Sequence, residues 1–148
     1  MRPLALITAL STLVLAPYTT AQAATFSTLY FFSGQNGDGS QPEGNMAVAK
    51  HGAIDGTTYE GGIVGSACPS GPLNLGGCGT VFRLTPPAAP EGAWTETVLY
   101  RFTGEDGDGA GPTAGVVIGL GGALYGTTHS GGSAGDGTGI QAGAACNT

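Results

Sequence analysis

Basic residues are scarce in this chain. Four Lys and Arg stand against ten Asp and Glu over 148 residues, a net charge of −6. One of the four is Arg2, so the chain beyond residue 23 holds Lys50, Arg83 and Arg101 against all ten acids, which is 3 − 10 = −7. So few cations exclude a nucleic-acid footprint, which needs clustered Lys and Arg. They also oppose adhesion to anionic membrane surfaces. Apolar length is short too. The run Leu4–Leu15 has 12 residues, well below the ~20 that a helix needs to cross a bilayer. Cysteine is limited to three residues, and no second Cys or His pair stands at finger-like spacing for zinc.

What the first 23 residues do contain is an export signal. Arg2 gives a positive start, Leu4–Leu15 an apolar centre, and Ala21-Gln22-Ala23 a small-x-small cleavage site. This predicts a signal peptide over 1–23, a mature chain from Ala24, and a secreted or cell-surface protein with no membrane span in the mature chain. No Cys follows the cleavage site to carry a lipid. The remaining 148 − 23 = 125 residues make one modest β-repeat region, 24–148. All 29 glycines fall in it. Each interior Gly costs a helix ~1 kcal/mol relative to Ala, and Gly clusters between short β-branched and aromatic runs predict an all-β fold.

The chain repeats itself. Leu29–Gly62 laid over Leu99–Gly132, an offset of 70, needs no gap, and 15 of 34 positions are identical. They include Leu-Tyr-x-Phe, Gly-Asp-Gly, a Pro, and Gly-Thr-Thr. A fixed period of this kind indicates units that bury their apolar faces against one another. The copies lie near 26–94 and 95–148. Seven strands are expected: a lone one at Phe26–Ser33, four in a full unit over Met46–Thr103, and two more in "AGVVIGL" and "ALYGTTH". In "TETVLYRFTG", Val98, Tyr100 and Phe102 alternate onto one face. In "GTVFRLT" Phe82 and Leu84 do so, and Val116, Ile118 and Leu120 are matched by Met46, Val48 and Lys50. Four strands with Gly-rich turns fit one blade of a β-propeller, giving one full blade with partial neighbours.

These residues resemble the GloVer repeat family, exported bacterial tandem-repeat proteins with variable surface anchors. "GAWTETVLYRFTGEDGDGAGPTAGVVIGLGGALYGTTHSGG" and "GCGTVFRLTP" carry the resemblance across nearly the whole mature chain. It implies secretion and a propeller-like repeat, and supplies no catalytic residues. The chain departs from the pattern at Asp55, where the second copy has Tyr125. After Gly132 it runs "SAGDGTGIQAGAACNT" without a second "GTVFRLT". The expectation is a partial member of a longer repeat protein.

Candidate sites are few. Cys68 and Cys78 enclose a Pro/Gly loop that can close a disulfide, and Cys146 reads as the counterpart of Cys68. The acidic turns, Glu105, Asp106 and Asp108 with Gln35, Asn36 and Asp38 in the first copy, offer oxygen ligands for calcium. They lack the EF-hand continuation, and Asp-Gly turns ordinarily use the carboxylate to accept backbone N–H bonds. His51 and His129 differ between copies and read as surface residues. Glu91 and Glu96 flank Trp94 without a recurring partner set, and "GLGG" at Gly119–Gly122 lacks phosphate-loop spacing. The sequence therefore assigns no catalytic, cofactor-binding or metal residue and no cofactor. It points to a non-enzymatic exported repeat protein that binds an unknown extracellular ligand or surface partner, or acts as structural spacing. The alternative is a fragment of an extracellular carbohydrate-active enzyme.

Overall fold

The computed structural model describes residues 24–65, Cys68 and 76–132. Residues 1–23, where a signal peptide is expected, and 133–148 with Cys146 lie outside the described residues. Four antiparallel strands form the first sheet in chain order: β1 (Gly39–Val48), β2 (Ile54–Gly61), β3 (Thr80–Thr85) and β4 (Thr95–Arg101). Four two-residue strands follow: β5 (Gly109–Ala110), β6 (Val117–Ile118), β7 (Leu124–Tyr125) and β8 (Ser130–Gly131). β5 pairs β8 and β6 pairs β7, both antiparallel. The only helical pieces among the described residues are 3₁₀ turns at Lys50–Gly52 and Leu120–Gly122. The fold is all-β.

The short strands form a second hairpin with the register of the first. Gly39 faces Gly61, and Gly109 faces Gly131; Ser40 faces Glu60, and Ala110 faces Ser130. Ala47 faces Asp55 and Val48 faces Ile54, while Val117 faces Tyr125 and Ile118 faces Leu124. Every one of these pairs recurs at the offset of 70. So does the 3₁₀ turn between the strands, closed by Ala49 N–H to Ala53 O and by Gly119 N–H to Ala123 O, each at 2.8 Å.

Within the first sheet, β3 is buried on both faces. Its alternation puts Phe82 and Leu84 on one face and Val81 and Arg83 on the other. Phe82, Leu84 and Val81 are all buried. The second hairpin covers the Val81 face, where Val81 and Cys78 cluster with Phe102, Ala110, Val116 and Leu124. On the opposite face the Phe32 ring lies 4.6 Å from that of Phe82. Burying a side chain of Phe or Leu size contributes roughly 1.5–3 kcal/mol, so both faces stabilise the sheet. Gly56 is part of this packing: a Cβ there would sit 2.7 Å from the Phe82 ring.

Four strand expectations are corrected. Phe26–Ser33 forms no ladder; its counterpart β4 pairs with β3, whose two edges β2 and β4 already occupy. It is held by side chains instead. The first strand starts at Gly39 and not at Met46, because Ser40, Pro42 and Glu43 pair with β2 and a bulge between Glu43 and Ala47 absorbs the residues between. Pro42 is tolerated there since β1 is an edge strand. Val98 parts company with Tyr100 and Phe102. β3 places Val81 opposite Tyr100 but Phe82 opposite Val98, so an extra residue, Leu99, bulges from β4. Leu99 and Tyr100 then both pack on the Val81 cluster, and Val98 points to the Phe82 face. Finally, Val116 is buried while Ile118 and Leu120 are exposed, because β6 ends at Ile118 and the 3₁₀ turn carries Leu120 outward.

Candidate functional site

Three places gather polar side chains, and the acidic turns come first. In the second copy Asp108 Oδ2 accepts the Thr103 amide at 2.8 Å and its hydroxyl at 3.0 Å, and Oδ1 accepts the Gly109 amide at 2.8 Å. In the first copy Asp38 Oδ2 accepts the Ser33 amide at 2.6 Å and hydroxyl at 2.7 Å. Backbone bonds from Gly34 to Gly39 and from Gly104 to Gly109 close each turn at 3.0 and 3.1 Å. Asn36 and Asp106 take positive φ, 55° and 51°, which short polar side chains tolerate. The carboxylates thus hold their own loops, as the turn reading expects. Glu105 and Asp106 point outward and are exposed.

The second place is where Asp38 meets β4. Glu96 pairs with Leu84 and so lies on the Phe82 face, next to the 24–33 segment. Burial raises the Glu96 pKa, the negative charge of Asp38 raises it further, and Arg101 opposes. The Tyr30 hydroxyl is raised too, by burial first and then by Asp38 and Glu96. Among the described residues, Asp38 Oδ1 and Glu96 Oε1 are buried without a hydrogen-bond partner. The sequence paired Glu96 with Glu91 around Trp94. In the fold Glu91 stands in an exposed turn and Trp94 is half-buried just before β4; the charges acting on Glu96 are those of Asp38 and Arg101.

The third place is a cavity of about 440 Å³ between the two 3₁₀ turns. Lys50 and His51 line it from one turn, Leu120 and Gly121 from the other, and Arg83 reaches it from β3. Arg83 forms a two-pronged bond with Asp55: Nε to Oδ1 at 2.7 Å and Nη2 to Oδ2 at 2.9 Å. Asp55 is fully buried. Two of the three cations beyond residue 23 therefore share one cavity with a histidine, against a wall made by Ile118 and Leu120. Such a site can hold a small polar or anionic group against an apolar surface. Sequence reasoning missed it. The Gly119–Gly122 stretch carried no phosphate-loop signal, and the exchange of Tyr125 for Asp55 was visible without its partner Arg83.

A fourth polar group is internal. Glu60 is fully buried and Ser40 nearly so. The Gln41 amide donates to Glu60 Oε2, and Gln41 adopts φ 54°. Glu60 Oε1 and Ser40 Oγ have no hydrogen-bond partner among the described residues. In the second copy the same positions are Ala110, Gly111 and Ser130.

Cys68 and Cys78 stand at disulfide distance, with Cα atoms 4.5 Å apart, and Cys78 belongs to the core between the hairpins. His129 is exposed, its amide bonded to Gly111 O at 3.1 Å, and does not line the cavity that holds His51. Comparison with protein-family models, curated proteins and solved structures finds no match. Among the described residues no group of three or more His, Cys, Asp or Glu is placed to hold a metal ion. No helix among them is long and apolar enough to cross a membrane.

Proposed function

We propose that this is an exported repeat protein, similar to the GloVer family, whose β units stack as the blades of a propeller do. Its role on this reading is binding or structural and not catalytic. The observation that carries it is the recurrence of one hairpin register at an offset of 70, with the second hairpin packed on the Val81 face of the first sheet. Stacked units leave their turns free to differ without disturbing the core. Here the turns do differ: Lys50 and His51 in one copy are Leu120 and Gly121 in the other, and the cavity opens between them. We place the ligand surface there.

Two steps test the proposal. Expressed with its own leader in a bacterial host, the full chain is expected outside the cytoplasm with Ala24 at its N-terminus, read by mass spectrometry; a cytoplasmic chain that keeps Met1 contradicts export. Incubated with soluble polysaccharides and surface proteins, the purified chain is expected to retain a ligand and release no product. Sugar release by the wild-type chain that Glu96→Gln abolishes would favour the carbohydrate-active alternative.

A further inference from the structure

The segment Phe26–Ser33 repeats β4 without the strand that β4 pairs with. β4 lies against β3, whereas Phe26–Ser33 enters no ladder or bridge. The two segments are otherwise held alike. Tyr30 and Phe32 meet edge-to-face, with ring centroids 5.0 Å apart at 75°, and Tyr100 and Phe102 repeat both values. Asp38 accepts from Ser33 as Asp108 accepts from Thr103. At the junction between the units, the cluster that holds Val81 gathers Leu99, Tyr100, Phe102 and Val116. Their counterparts Leu29, Tyr30, Phe32 and Met46 line a cavity of about 350 Å³. Val116 is 6% exposed and Met46 62%. The first unit thus has the walls of the junction without a strand to fill them.

We propose that this groove docks an extended segment of a partner polypeptide, which pairs with Leu29–Phe32 as β3 pairs with β4. The register sets its pattern. β3 places Val81 opposite Tyr100, Phe82 opposite Val98 and Arg83 opposite Thr97; at the offset of 70 these become Tyr30, Thr28 and Ser27. A Val of the occupant enters the cavity beside Tyr30 and Phe32. The next residue, aromatic in β3, faces away, and the one after it returns to the same face. In the junction that last position is Arg83, which reaches Leu120 and Gly121. The first copy has Lys50 and His51 there, both exposed. Charge complementarity therefore puts Asp or Glu at this position of the occupant. Strand addition takes its affinity from main-chain hydrogen bonds and its specificity from such alternate side chains.

Two observations select a lone acidic segment over a second copy of this chain. The junction brings Gly115 so close to β1 that a Cβ on it would fall on the Asn45 carbonyl. Its counterpart in the first copy is Asn45, so a whole second unit cannot seat on this face in the same way. A β3 strand would also bring Arg83 up to Lys50, like charge against like. The assignment rests on the equivalence of the two copies stated under Proposed function.

The test titrates the isotope-labelled full chain with two capped synthetic peptides, followed by NMR: the sequence Gly79–Thr85 as it stands, and the same sequence carrying Arg83→Glu. The second is expected to give saturable shifts along Phe26–Ser33 and Met46–His51. Its affinity should exceed that of the first by about threefold or more, as an exposed attraction replaces an exposed repulsion. Adding Val81→Ala to it should weaken binding about tenfold through lost burial. Lys50→Glu in the chain, at an exposed turn position, is expected to reverse the preference between the two peptides. Three results overturn the proposal: no saturable shifts at millimolar peptide, shifts outside these segments, or equal or tighter binding of the unchanged Gly79–Thr85 peptide. Contacts between Val48 and Ile54 and between Ile118 and Leu124 are recorded in the same spectra. If both are present and the peptide fails, docking alone is wrong; if the second is missing, the equivalence beneath it is wrong.

Discussion

Buried carboxylates set the residue-scale behaviour of this protein. Glu96 is held partly out of water beside Asp38, and its pKa is raised by burial and then by that charge. A carboxyl group raised in the folded state stabilises the fold while it is protonated, below its unfolded pKa near ~4.3. That contribution is lost as pH rises through the folded value. Glu96→Gln removes the charge and keeps the shape. We expect the variant to match the wild type in urea unfolding near pH 4 and to exceed it at pH 7. An equal gap at both pH values would contradict this origin. Asp108 behaves differently, because three donors hold its oxygens. The sequence allowed that role, since an Asp in an Asp-Gly turn has few other uses. It did not disclose the Asp55–Arg83 pair. The two residues lie in separate strands, and only the β2–β3 register, set across the long 62–79 connection, brings them opposite one another.

At the scale of elements, the repeat in the sequence located both hairpins but misplaced their strands. Alternation read in "TETVLYRFTG" assumes an unbroken pleat, and the bulge at Leu99 breaks it. Nothing local marks that residue, because the bulge answers to the packing of Leu99 and Tyr100 on Val81. Likewise "SQPEG" has turn residues, yet pairing with β2 draws it into β1. The two hairpins differ most in their buried polar group. Replacing Ser40, Gln41 and Glu60 by their counterparts, as Ser40→Ala, Gln41→Gly and Glu60→Ser together, removes a buried carboxylate oxygen without a partner. It also relieves a positive φ, worth roughly 1–2 kcal/mol for a residue other than Gly. Leaving a buried polar group unsatisfied costs about 1–3 kcal/mol. The triple variant is therefore expected to unfold at higher urea with an unchanged m-value, and a loss of stability would show that the polar group is needed to hold β1 on β2.

At the largest scale, the described residues form a four-stranded antiparallel sheet with a second hairpin stacked on one face. One buried apolar cluster lies at that junction, and a second group, Phe82 and Leu84, is buried on the opposite face of the sheet. Hydrogen bonds cross the junction as well: Gly111 N–H to Cys78 O at 2.8 Å and Thr57 Oγ1 to Ala114 O at 2.9 Å. A composition rich in Gly leaves few large side chains per strand, so each unit depends on its neighbour for burial. The period of 70 made this arrangement legible in outline, while the faces that meet could be known only once the register was fixed. The stacking is tested most directly by methyl and aromatic NOEs in the full chain. Contacts from Val81 to Phe102, Val116 or Leu124 are the predicted result. Intact cross-strand contacts within each hairpin, with none between Val81 and the second, would contradict it.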